Sequence, residues 1–154
     1  MNKVLLSVHV LAAIIFIGPV TVAASMFPPL ARRALEGDGD VGVLRTLHRI
    51  SRGYAIGGIV VPVFGLALAI GMDVLGDTWL IVSIVLTLAA ALVLALKVIP
   101  DQAGILAGVG ADEGTRAALM PRAKALSMVT GVFALLWAVV VVLMIVRPGS
   151  STGA

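Results

Sequence analysis

Few side chains in this chain can do chemistry. There are two histidines, His9 and His48, no cysteine and six methionines, with eleven lysines and arginines against eight acidic residues. Without cysteine there is no disulfide, thiolate metal site or cysteine nucleophile. No Ser–His–Asp constellation, phosphate-binding loop, HExxH or strand-to-helix glycine fingerprint is readable. His9 therefore leads. It lies in an apolar run, Val4 to Met26, that contains no charged residue, and an ionisable group in such a run is by default a functional-site hypothesis. Imidazole suits a b-type haem iron, and imidazole with thioether makes a soft site for Cu(I). Met72 and Met144 are the methionines at matching depth, and a second copy of the chain is the other source of an axial partner. The competing reading is a histidine bonded to a neighbouring helix or to headgroup water.

His48 sits among Arg45, Arg49 and Arg52, where contact with solvated headgroups is expected. At 1.5 Å per residue it falls roughly 9 Å outside the nearest apolar run, and His9 about 8 Å inside the far edge of its own. The two are then on the order of 30 Å apart along the membrane normal, which excludes a single bis-histidine iron. Trp79 reads as an interfacial marker. Trp137 lies near the middle of an apolar run, where its indole N–H wants an acceptor. Packing, or the lining of a cofactor pocket, are its two readings.

The elements that position these residues follow from composition. The chain is 60% apolar and 12% charged over 154 residues, against about 45–50% and 25% for soluble domains. A soluble enzyme, a disordered chain and a disulfide scaffold are excluded on these proportions. A membrane helix needs about 20 apolar residues, and four segments qualify: 4–26, 54–72, 78–96 and 125–146. None alternates with period two, and in lipid the backbone must satisfy itself, so all four are expected to be helices. The expectation is an all-α, single-domain, four-helix membrane bundle with loops at 27–53 and 97–124. Those loops hold nine Lys/Arg (Arg32, Arg33, Arg45, Arg49, Arg52, Lys97, Arg116, Arg122, Lys124), against Lys3 and Arg147 elsewhere. Basic loops stay inside, which predicts both termini outside, a bacterial inner-membrane location, and anionic lipid rather than nucleic acid as the basic partner. Small residues after Gly18-Pro19 imitate a signal-peptide end, but cleavage there would leave the arginines on the wrong side.

Within the runs, Pro19 and Pro62 predict kinks. Asp38 or Asp40 is placed to cap a basic approach helix with Val41, Leu44 and Leu47 on one face. The second loop, with Gly104, Gly108 and Gly110, reads as irregular, and the tail from Arg147 as a flexible end. Helix packing is expected at Gly53, Gly57 and Gly65, and at Ser127 and Gly131, where small residues let backbones approach. The loops have 27 and 28 residues, which suggests two duplicated hairpins.

The run Val8-His-Val-Leu-Ala-Ala-Ile-Ile-Phe-Ile-Gly18 resembles the first helix of a four-helix membrane group that includes copper-resistance D-like proteins and the haem-containing protoporphyrinogen oxidases. The strings Gly18-Pro-Val-Thr-Val-Ala-Ala-Ser, Leu47-His-Arg-Ile-Ser-Arg-Gly-Tyr and Val146-Arg-Pro-Gly resemble more closely a family of predicted integral membrane proteins of actinobacteria with a domain of unknown function. The wider likeness implies a haem or copper ligand at His9. It departs at Phe16, where the group has tryptophan, and at Lys97, the one counterpart of the oxidases' helix-three lysine, which lies at the opposite end from His9. The reading favoured by the residues is a non-enzymatic accessory or assembly subunit, with a membrane-protein partner or a second copy. The alternative is a haem- or copper-binding protein.

Overall fold

In a computed structural model, which describes residues 2–149, the chain forms four long helices: α1 (Lys3–Leu35), α2 (Val41–Gly71), α3 (Thr78–Gly108) and α4 (Glu113–Val146). All four are long and apolar enough to cross a membrane. Their turns are short, so neighbours run antiparallel and pack in the order α1–α2–α3–α4, with α4 closing on α1. The all-α four-helix reading of the sequence stands. Residues 150–154, most of the expected flexible tail, lie outside the described residues.

The stretches read as loops are mostly helix. Residues 27–35, 41–53, 99–108 and 113–124 continue the apolar runs without interruption. The irregular segment expected around Gly104 is replaced by helix through Gly108. Its apolar positions explain this: Val98, Ile105 and Val109 recur at helical spacing and are buried, so the packing gain outweighs the glycines' low propensity. At 1.5 Å per residue, helices of 31 to 34 residues run about 46–51 Å. That exceeds a hydrocarbon layer of roughly 30 Å, and the excess falls at the arginine-rich end.

The helices stop where local chemistry requires it. Gly37 takes φ +92° after α1, a conformation that costs other residues, and a Cβ on Gly39 would lie 2.5 Å from the Ala34 backbone. Asp40 caps α2 by accepting from the Gly42 N–H at 2.7 Å. Asp112 caps α4, accepting from Thr115 N–H at 3.3 Å and Thr115 Oγ1 at 2.7 Å. These bonds hold its carboxyl below its ordinary pKa, with help from the nearby Arg116.

Two helices carry a wide π turn, at Ala13–Ile17 and Leu94–Val98. Each ends two residues before a proline, Pro19 or Pro100, where the helical ladder loses a donor. The offset is the same in both hairpins, a structural counterpart to their similar lengths. In α2 the ladder breaks at Gly58–Ile59, ahead of Pro62. Pro28, Pro29 and Pro121 are accommodated inside helices.

Burial divides the molecule. The main core gathers Phe27, Ala31, Leu44, Val98, Ile105, Ala123, Leu126 and Phe133, and lies mostly in the arginine-rich half. Around it Arg45, Arg49 and Arg52 point outward. In the apolar windows only 11–28% of residues are buried, and Val4, Ile14, Leu96 and Ile145 stand more than 60% exposed. The basic end thus has a packed core beneath charged side chains, while the apolar runs leave most of their side chains uncovered.

Candidate functional site

His9 lies against α2, half-buried, with Nδ1 2.9 Å from the Val61 carbonyl oxygen. The position exists because Gly65 has no side chain: a Cβ there would meet His9 Cε1 at 2.8 Å and Nδ1 at 3.2 Å. Nearer the basic end Phe16 fills a second notch, at Gly57, whose added Cβ would lie 2.5 Å from Phe16 Cδ1. Helix α1 therefore sets His9 and Phe16 into the two glycine gaps of α2. The Val61 carbonyl can only accept, so Nδ1–H donates in this bond and the ring is fixed through that nitrogen.

Among the described residues no group of three His, Cys, Asp or Glu could hold a metal. Met144 packs against a small cluster of Ala69, Trp79 and Leu80, and Met72 is half-buried at the end of α2. Lys97 pairs with Asp101 at 3.0 Å. Of the remaining small residues, nothing within 4 Å meets a Cβ added at Gly53 or Gly131, and Ser127 is exposed.

His48, read from the sequence as a solvated headgroup contact, has a protein partner. It is half-buried, and its Nδ1 lies 3.1 Å from Gln102 Oε1. Gln102 is fully buried, and its Nε2 donates to the buried Ser51 hydroxyl at 3.3 Å. The helical continuation of α3 past Lys97 brings Gln102 against α2, and a buried amide must find partners. Beside it Asp101, 3% exposed, accepts from Arg122 Nε at 2.7 Å. This polar layer was not foreseen in the sequence. Its signal is Gln102 falling within the buried Val98–Ile105–Val109 stripe.

Trp79 is likewise buried rather than exposed at a surface. Its Nε1 donates to Asp77 at 2.9 Å, and the Arg147 guanidinium lies 5.5 Å from the ring centroid, in cation–π range. Trp137 joins Phe133 edge-to-face at 6.3 Å, while Phe16 and Tyr54 pair at 6.2 Å. Beside Tyr54, Phe133 and Trp137 is a small, partly open cleft of about 90 Å³. All four helices line it, through Val20, Tyr54, Gly58, Thr87, Phe133 and Trp137 among others, and its walls are almost wholly apolar. Trp137 Nε1 is buried with no acceptor among the described residues.

Comparison with family models, with curated proteins and with solved structures finds no match to this chain. What the site defines is a class, a four-helix protein compatible with multiple membrane crossings, and any narrower reading rests on its own residues.

Proposed function

We propose that the chain is a multi-pass protein of a bacterial plasma membrane, with both termini outside, that serves as a non-enzymatic accessory or assembly subunit of a membrane complex. The observation that carries this reading is how the apolar halves are packed. The stretch Asn2–Ala12 packs chiefly on α2, and Val4 and Leu11 within it, with Ile14 and Ile15 just beyond, are more than half exposed. The hairpins are joined mainly through the basic half, where Gly18–Leu35 meets α4 and Val41–Gly57 meets Ile99–Gly108. A bundle closed at one end and open along its apolar faces suits docking against a partner's helices or a second copy. Nine of eleven basic residues at the closed end fit an inward orientation.

Purification in mild detergent tests this. A stoichiometric membrane partner, or a defined oligomer of the chain, is expected to co-elute. A chain that runs alone as a monomer from native membranes contradicts it.

The second reading places b-type haem or copper at His9, and one observation favours it: the Val61 carbonyl orients the imidazole so that Nε2 is available. An optical spectrum and metal analysis decide it. Bound haem or copper that disappears in His9→Ala supports the reading, and colourless, metal-free protein ends it.

A further inference from the structure

One stripe of α2 changes character along its length. Arg45, Arg49, Arg52, Ile56, Ile59 and Val63 follow one another in alternate steps of four and three residues, which sets them on one helix face. All six are exposed, and Ile56, Ile59 and Val63 are each more than half exposed. The changeover falls at Gly53, where an added Cβ would meet nothing within 4 Å. The three arginines also have no counter-ion of their own. Arg33, Lys97 and Arg122 each have a carboxylate within 4.0 Å. Among the described residues none stands that close to Arg45, Arg49 or Arg52, and residues 41–72 contain no acid. Their neutralising charge must come from outside the chain.

Depth says which anion fits. With the hydrocarbon edge at Tyr54, where the uncharged run begins, Arg52, Arg49 and Arg45 stand about 3, 8 and 14 Å above it. A headgroup layer is about 5–8 Å thick in each leaflet. Arg52 and Arg49 therefore bracket the phosphate level, where a guanidinium makes paired, charge-assisted bonds. Arg45 stands above, against whatever the phosphate carries. An ammonium there would be repelled; hydroxyls or a second phosphate would accept. We infer that this stripe seats one phospholipid of net negative charge from the inner leaflet. Its phosphate lies between Arg49 and Arg52, its headgroup against Arg45, and an acyl chain along Ile56, Ile59 and Val63. The inference rests on the proposed membrane orientation, whose failure shows separately, as protein recovered without detergent.

The test titrates the full chain, in a non-ionic detergent, with dioleoyl phosphatidylglycerol or dioleoyl phosphatidylcholine, and counts bound lipids by native mass spectrometry. The first phosphatidylglycerol should bind on the order of twentyfold more tightly than phosphatidylcholine, at about fivefold for each of two arginines. Arg49→Gln or Arg52→Gln alone should weaken it about fivefold, and the two together should bring it to the level of phosphatidylcholine. Both side chains are exposed, so the double variant should keep the parent's circular dichroism. Arg32→Gln with Lys124→Gln, which removes the same charge from α1 and α4, should leave the first phosphatidylglycerol in place. Equal affinity of the unaltered chain for the two lipids overturns the inference. So does an equal loss from both pairs of substitutions, the mark of a diffuse positive surface. The rival occupant is an acidic segment of a partner protein. A co-purifying protein released by Arg49→Gln with Arg52→Gln, with lipid preference intact, overturns the inference too.

Discussion

Replacing Gly65 with alanine probes the contact that places His9. The added Cβ would sit 2.8 Å from His9 Cε1, where carbon atoms ordinarily stay about 3.5–4.0 Å apart. The ring must give way by roughly 0.7 Å or more, and Nδ1, 3.2 Å from the same Cβ, moves with it and strains its bond to Val61. Overpacking costs about 1–3 kcal/mol and a weakened hydrogen bond about 0.5–1.5 kcal/mol. Alanine's better helix propensity returns up to about 1 kcal/mol. The net expectation is a loss of about 1–3 kcal/mol. Gly53→Ala, with open space around its Cβ, should be neutral or slightly stabilising. Unfolding in mixed micelles of rising SDS fraction, followed by circular dichroism, reads the difference. A double-mutant cycle isolates the cause: in a His9→Ala background the cost of Gly65→Ala should vanish. A coupling below about 0.5 kcal/mol would refute the placement of His9 in the Gly65 notch.

Three further outcomes follow from the basic end. Asp101→Asn should cost about 1–2 kcal/mol in the same assay, because the carboxylate is buried while its partners Lys97 and Arg122 are partly solvated; the loss should shrink in high salt. Gln102→Leu should cost about 1–2 kcal/mol by leaving the Ser51 and His48 groups without their amide partner. The Asp112 carboxyl is held below its ordinary value of 3.8, so its contribution to stability is complete above that value and is lost as pH falls through the lowered folded-state value. Asp112→Asn should flatten that acid limb in pH-dependent melting.

Helix number, element type and the placement of Leu44 and Leu47 inward were legible in the sequence, because long apolar runs and a 3.6-residue stripe are local signals. The lengths of the helices were not. Gly104 and Gly108 read as breakers, yet the stripe through Val98, Gln102, Ile105 and Val109 overrides them once α2 and α4 are there to cover it. The partner of His48 was hidden for the same reason: Gln102 reaches it only when α3 continues. His9 was legible as a candidate, but its partner is a backbone carbonyl, which no residue type announces. The glycine notches that receive His9 and Phe16 depend on the antiparallel register of α1 and α2, and spacing within one helix does not encode that.

The central claim is that the four apolar runs cross a bilayer with the arginine-rich end inside. The chain has no cysteine, so single substitutions report without background. Asp77→Cys should react with a membrane-impermeant maleimide on intact cells, and Arg45→Cys only after permeabilisation. Labelling of Arg45→Cys on intact cells, or recovery of either variant in the soluble fraction without detergent, would contradict the account.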